Sequence, residues 1–310
     1  MLSTLKKYPL QIGIGTLVAG GLAVSALVGG AFSASPSFYS YGYGYGGNSV
    51  SPPTSSNGAY RLVGFDGGVF DFGTASYFGS MGGIALNKPM VGAIDTPSTG
   101  SSSAGNGYWE VASDGGIFSF GNAYFYGSMG NKTLNKPIVG MAATQDGGGY
   151  WEVASDGGIF SFGNAHFYGS MGNITLNKPV VGMTADPATG GYWLVASDGG
   201  VFSFNAPFYG SMGNKTLNKP IVGIVSTPDG KGYWEVASDG GIFSFGDAQF
   251  YGSTGNITLN KPVVGMLSTP DGMGYWLVAS DGGIFSFGDA PFLGSEGGKV
   301  LNAPIVGMMD

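Results

Sequence analysis

The segment from Gly107 to Met141, GYWEVASDGGIFSFGNAYFYGSMGNKTLNKPIVGM, returns nearly unchanged from Gly149, Gly191, Gly232 and Gly274, and a divergent copy begins at Tyr60. Nothing else in the chain limits its fold so strongly. A unit recurring about every 42 residues is one supersecondary element copied many times, and that length suits four short strands. The first interval is longer because it carries the insertion STGSSSAGN, and another lacks one residue at Phe204-Asn205. Length changes confined to turns, with constant spacing elsewhere, mark a repeat architecture.

The strands can be read from the third copy. Strand A is Pro137 to Met141, strand B is Tyr150 to Ser155, strand C is Ile159 to Phe162, and strand D is His166 to Ser170. Between B and C lies Asp156-Gly157-Gly158, read as Asp opening a type I′ hairpin turn. Strand B carries Trp151 and Val153 on one face and Tyr150, Glu152 and Ala154 on the other, as a sheet packed between two neighbours requires. No segment after Ala59 has helical periodicity. The 61 glycines fall at fixed places in the repeat, so they read as turns, and the 14% aromatic content argues for order.

The first copy has strands B, C and D but no strand A before it, and Pro304 to Met309 is a strand A with nothing after it. Pairing that last strand with Tyr60 to Val63 closes six units into a ring and removes the open edges of a linear array. The expected fold is therefore all-β: a six-bladed β-propeller of four-stranded blades, closed by the C-terminal strand on the first repeat. Trp109, Trp151, Trp193, Trp234 and Trp276 should pack between blades, with Arg61 marking the odd one.

Lys6 and Lys7 precede an uncharged apolar stretch, Pro9 to Phe32, with a small-x-small site at Ala31-Phe32-Ser33. Residues 1–35 read as a signal peptide or an uncleaved signal-anchor, residues 36–59 as a Ser/Gly/Tyr/Pro-rich linker, and residues 60–310 as the propeller. Gly42, Gly44 and Gly47 fit GxGxxG, but no strand precedes them and no helix follows. Export follows from either reading of the N-terminus, and the membrane enters only through that segment. The chain has no cysteine and a net charge of −7, which excludes thiolate metal sites and argues against a nucleic-acid partner.

The GYWxVASDGGIFSFGDAxFYGS…LNKPIVGM units resemble tandem propeller-type repeats of secreted and cell-surface bacterial proteins, and the resemblance covers Tyr60 to Asp310. It implies a propeller and an extracellular location. Such repeats often accompany cell-wall hydrolase, lipase or protease domains, but no such domain lies in these 310 residues. The resemblance carries no agreed catalytic residues.

Catalysis needs residues that break the repeat. His166, the only histidine, aligns with Tyr124, Pro207, Gln249 and Pro291, a freely varying position. Arg61, the only arginine, cannot form the cluster that a sialidase-type site needs. Thr144-x-Asp146-x-Gly148-x-x-Trp151 fits an Asp-box spacing, but Lys231 breaks it in a later copy, so it reads as turn chemistry. Glu110, Glu152 and Glu235 align with Leu194 and Leu277 and do not read as a catalytic pair. One Asp before two glycines does not make a calcium site. The N-x-T sequons at Asn131, Asn173, Asn214 and Asn256 read as polar loop residues. No catalytic residue, cofactor or metal is expected.

The candidate ligand-binding residues are Lys88, Lys136, Lys178, Lys219 and Lys261 in LNKP, with Ala303 in the sixth place. Each precedes strand A, so they should ring one end of the axis, on the face that carries the turn aspartates Asp114, Asp156, Asp198, Asp239 and Asp281. Lys–Asp pairing makes that ring structural; unpaired lysines make an anion- or sugar-binding mouth. The function expected is a non-enzymatic extracellular or surface-anchored propeller for binding, adhesion or assembly. Its partner is a cell-wall polymer, a glycan, another protein or itself. A lectin-like propeller is the first alternative and a glycoside or ester hydrolase the second.

Overall fold

The computed structural model describes residues 58–97 and 106–310; the expected export segment and most of the linker lie outside the described residues. The described chain is all-β, with eighteen strands and no helix. In order they are β1 (Ala59–Gly64), β2 (Val69–Gly73), β3 (Met90–Asp95), β4 (Gly107–Ala112), β5 (Ile117–Gly121), β6 (Ile138–Ala143), β7 (Gly149–Ala154), β8 (Ile159–Gly163) and β9 (Val180–Ala185). Then come β10 (Tyr192–Ala196), β11 (Val201–Phe204), β12 (Ile221–Ser226), β13 (Gly232–Ala237), β14 (Ile242–Gly246), β15 (Val263–Ser268), β16 (Gly274–Ala279), β17 (Ile284–Gly288) and β18 (Ile305–Met309).

They form six three-stranded antiparallel sheets in a propeller-like repeat. Sheet 1 is β18-β1-β2, sheet 2 is β3-β4-β5, and the next four follow in threes to sheet 6, β15-β16-β17. The last strand does pair with the first: Arg61 faces Met309, Leu62 faces Met308 and Val63 faces Gly307. In the other five sheets the inner strand comes from the same stretch of chain, and every inner strand has its register shift at the equivalent Val-Gly, such as Val91-Gly92. The inner strands pack in succession, β3 on β6, β6 on β9, β9 on β12, β12 on β15, β15 on β18 and β18 on β3. One backbone bond also recurs at each step, from the first inner-strand N–H to the preceding hairpin turn: Met90 to Phe65, Ile138 to Ser113, and so on to Ile305 with Ser280.

The middle strand of each sheet is buried on both faces. Its Trp points at the next sheet, where the ring lies 5.4 Å from the following Tyr for Trp109–Tyr150 and 5.5 Å for Trp276–Tyr60. All five tryptophans are at most 2% exposed, as the repeat pattern requires.

The fourth strand does not exist. The segment from His166 to Ser170 and its equivalents follow the β8-type strands in the chain but form no ladder. Side chains occupy the backbone groups that a ladder would use. Trp151 Nε1 donates to His166 O at 2.8 Å, Tyr192 Oη accepts from Tyr168 N at 3.1 Å and donates to Gly169 O at 2.7 Å. Gly169 also takes φ +137°, where a side chain would meet the Phe204 ring of the next sheet. A segment so held by the Trp behind and the Tyr ahead satisfies its hydrogen bonds without becoming a strand.

The hairpin turn differs too. Gly157 is left-handed at φ +79° but Asp156 is not, and Ala154 N donates to Gly158 O while Gly157 N donates to Ala154 O. That is a three-residue loop ending in a left-handed glycine, not the two-residue type I′ turn that Asp-Gly suggested.

Candidate functional site

The carboxylate of each turn aspartate is used locally. Asp114 Oδ1 accepts from Gly116 N and Asp156 Oδ1 from Gly158 N, both at 3.0 Å. The Asp-box-like stretch is a second turn of the same kind: Asp146 accepts from Thr144 Oγ1, Gly148 N and Asn164 Nδ2, and these donors hold its carboxyl below the usual range.

Lys88, Lys136, Lys178, Lys219 and Lys261 are all exposed at the start of the inner strands. Among the described residues none of the five forms an ion pair; the pairs that occur are Arg61 with Asp71 and Asp95, Lys231 with Asp229, and Lys299 with Glu296. Lys–Asp neutralisation, the structural reading of the ring, is therefore absent there. Lys88 and Lys136 instead line two grooves of about 210 and 220 Å³ with matching walls. The first holds Asn87, Lys88, Asp114, Phe118, Phe125 and Asn131. The second holds Asn135, Lys136, Asp156, Phe160, Phe167 and Asn173. Each groove is built from the end of one connection, the turn of the next hairpin and the segment that replaces the fourth strand.

One side chain of that segment is solvent-facing in every copy: Tyr77, Phe125, Phe167, Phe208, Phe250 and Phe292, from 45% exposed at Phe292 to 60% at Phe208. The stretch has the composition of a strand, and composition alone does not set these rings apart. Their signal was available, since the preceding position varies as Ser76, Tyr124, His166, Pro207, Gln249 and Pro291 while this one stays aromatic.

A cavity of about 930 Å³ opens at the other end of the inner strands, among Ala143, Ala185, Ser226, Ser268 and Asp310, with His166 on its wall. None of the five lysines lines it. Between the two ends, Gly92, Gly140, Gly223, Gly265 and Gly307 leave a narrow space of about 140 Å³.

Two sets of ionisable groups lie inside, away from the lysine grooves, and the second reaches the larger cavity through Asp310. Glu110, Glu152 and Glu235 are wholly buried and face the preceding sheet. Both carboxylate oxygens of Glu110 and Glu152 lack a hydrogen-bond partner, and Glu235 receives one long bond, 3.4 Å, from Met212 N. Burial pushes each carboxyl up to about 8, so all three are held largely protonated at neutral pH. The second set surrounds Arg61, 1% exposed, whose Nε lies 3.2 Å from Asp71 Oδ1 and Nη1 2.7 Å from Asp95 Oδ1. Its Nη1 also donates to the backbone carbonyl of Asp310. Burial raises the Asp71, Asp95 and Asp310 carboxyls, the last to about 6, while the guanidinium pulls each back down.

No protein-family model matches the chain, and no curated protein is found to be similar to it.

Proposed function

We propose that the chain is an extracellular or surface-anchored, closed six-bladed β-propeller that acts as a non-enzymatic binding scaffold. The observation that carries this reading is one groove, with Lys, Asp, Asn and an exposed phenyl, built twice in successive sheets, together with an exposed aromatic ring at the same position in all six copies. Binding modules gain from identical sites through avidity, whereas catalysis needs one constellation of unlike groups. Closure is supported by the β1–β18 ladder and by the bond from Ile305 N to Ser280 O, which repeats across the last junction what occurs at the others. Export rests on the Lys6-Lys7 and Pro9 to Phe32 pattern.

The full-length chain, produced in a bacterial host, should be digested by protease added to intact cells. Purified, it should be retained on bacterial wall sacculi and should turn over neither generic esters nor glycosides. Protection inside the cells removes the surface reading, turnover removes the non-enzymatic one, and passage through the sacculi without retention removes binding to wall material.

A further inference from the structure

The exposed rings belong to none of the buried apolar clusters and form none of the aromatic contacts that join the sheets. Scattered exposed aromatics are ordinary, but an aromatic kept at one solvent-facing position in six copies, beside a position that holds five different residue types, is not scatter. Around Phe125 the groove offers both kinds of hydrogen-bonding group. Asp114 uses Oδ1 on the turn and leaves Oδ2 open as an acceptor. Lys88 supplies an unpaired ammonium, and Asn87 and Asn131 present exposed amides. One lysine and one aspartate per groove give no net charge.

We propose that these grooves are sugar sites, each taking one ring of a neutral hexopyranose or N-acetylhexosamine, and that the protein binds glycans multivalently; this rests on the scaffold reading above. A pyranose has an apolar C–H face that can lie on a phenyl, and vicinal hydroxyls that donate to one group and accept from the next. A groove with no net charge favours a neutral sugar over an acidic polymer, which would need a surplus of cations. By position the set is complete four times, with Lys88, Lys136, Lys178 and Lys219. The fifth copy, with Lys261, has Gly298 where the others have Asn131. The sixth has Ala303 for the lysine and Gly83 for the asparagine, and its Tyr77 Oη donates to Ser80 Oγ at 3.0 Å. Each site alone is shallow, so affinity comes from joining several.

The test passes full-length protein over beads bearing polymer-linked neutral hexosides, N-acetylhexosaminides or hexuronates, at low and high salt. Retention on a neutral sugar, unchanged by salt, is expected. The quadruple variant Phe125→Ala, Phe167→Ala, Phe208→Ala, Phe250→Ala should lose about a hundredfold, the avidity of linked sites, at an unchanged melting temperature. Lys136→Gln, Lys178→Gln, Lys219→Gln should weaken retention less and also leave melting unchanged. Retention of the phenyl variant equal to wild type overturns the site. Retention on hexuronate alone, lost at high salt, replaces sugar-ring recognition by charge and also overturns it. If wall sacculi retain the protein but no neutral sugar does, the sugar proposal fails while the scaffold reading stands; if neither retains it, both fail.

Discussion

Five of the six interfaces between neighbouring sheets are built around a tryptophan, and the interface between sheets 1 and 2 is built around Arg61. The two solutions do the same local job. Trp109 Nε1 donates to Tyr124 O at 2.8 Å, and Arg61 Nη2 donates to Ser76 O, the equivalent carbonyl, at 3.1 Å. Trp109 meets Tyr150 at 5.4 Å, and the Arg61 guanidinium lies 5.4 Å from the ring of Tyr108, the equivalent tyrosine. The strand opposite differs in step: Trp109 faces Ser119, whereas Arg61 faces Asp71. The apolar cluster at the arginine interface is correspondingly smaller, with Val63, Tyr108 and Met309 as its buried members. A cation that spreads its charge over a plane can take the indole's place, provided carboxylates accompany it inside. The arginine interface thus trades apolar contact for an ion cluster where the two ends of the repeat region meet.

The severest way to break the comparison is to delete residues 304–310. That removes β18 and an acceptor of Arg61, and sheet 1 loses its inner strand. Cooperative thermal unfolding of the whole molecule should be lost or moved far down. A deletion variant that melts like the wild type would falsify the role given to this interface in holding the sheets together.

Next come the two anchors themselves. Trp151→Ala should lose about 3–5 kcal/mol by leaving a cavity. Arg61→Ala should lose about 3–5 kcal/mol by leaving Asp95, and beside it the half-buried Asp71, with no counter-charge. The two losses should differ in their dependence on pH. Without the arginine, acid protonates the stranded carboxyls and relieves the penalty, so the Arg61→Ala deficit shrinks toward pH 4 while the Trp151→Ala deficit does not. Urea unfolding across pH separates them; parallel curves would mean that charge is not what Arg61 supplies.

Glu152→Leu should stabilise, because Leu194 and Leu277 occupy the same place in other sheets. The Glu152 carboxyl is raised from its ordinary 4.5 to about 8, so its favourable contribution is complete below about pH 4.5 and lost as pH rises through 8. Each pH unit in that window weakens the wild type by about 1.4 kcal/mol at most. The variant's advantage should therefore be largest near pH 9 and smallest near pH 4, read from denaturation midpoints. An advantage that does not grow with pH argues against a buried neutral acid.

Converting one interface into the other isolates what Arg61 contributes. Arg61→Trp, Asp71→Ser, Asp95→Ala copies the Trp109–Ser119–Ala143 set of the interface between sheets 2 and 3 into the interface between sheets 1 and 2. Replacing buried ions by apolar groups is neutral or stabilising by about 1–4 kcal/mol in comparable cases. A variant less stable than the wild type would show that the ion cluster contributes more than a tryptophan can.

The smallest effect tests what the interfaces share. Tyr108 and Tyr150 each bond a backbone N–H and a carbonyl of the preceding segment. Tyr108→Phe and Tyr150→Phe should each lose about 1 kcal/mol, equally on the two kinds of interface. Unequal losses by thermal melting would show that Arg61 alters the tyrosine beside it.

Repetition and alternation together determined the three strands of each unit, the burial of the five tryptophans and the place of Pro304 to Met309 beside Tyr60 to Val63. Those properties depend on period and residue type, and both are written along the chain. The fourth segment was not legible as what it is, because HFYGS has strand composition; its hydrogen bonds go to a tryptophan on its own repeat and a tyrosine on the next. The burial of Glu110, Glu152 and Glu235 was equally hidden, since a carboxylate that varies to leucine looks tolerant of exposure until the facing sheet is in place. The candidate site divides along the same line. Lys88 and its equivalents were legible as a set on the face that carries Asp114, but only the folding back of the segment that replaces the fourth strand brought Phe125 into the same groove. A sequence records which side chains recur, and the tertiary structure decides which of them meet, because contact depends on how the sheets face one another.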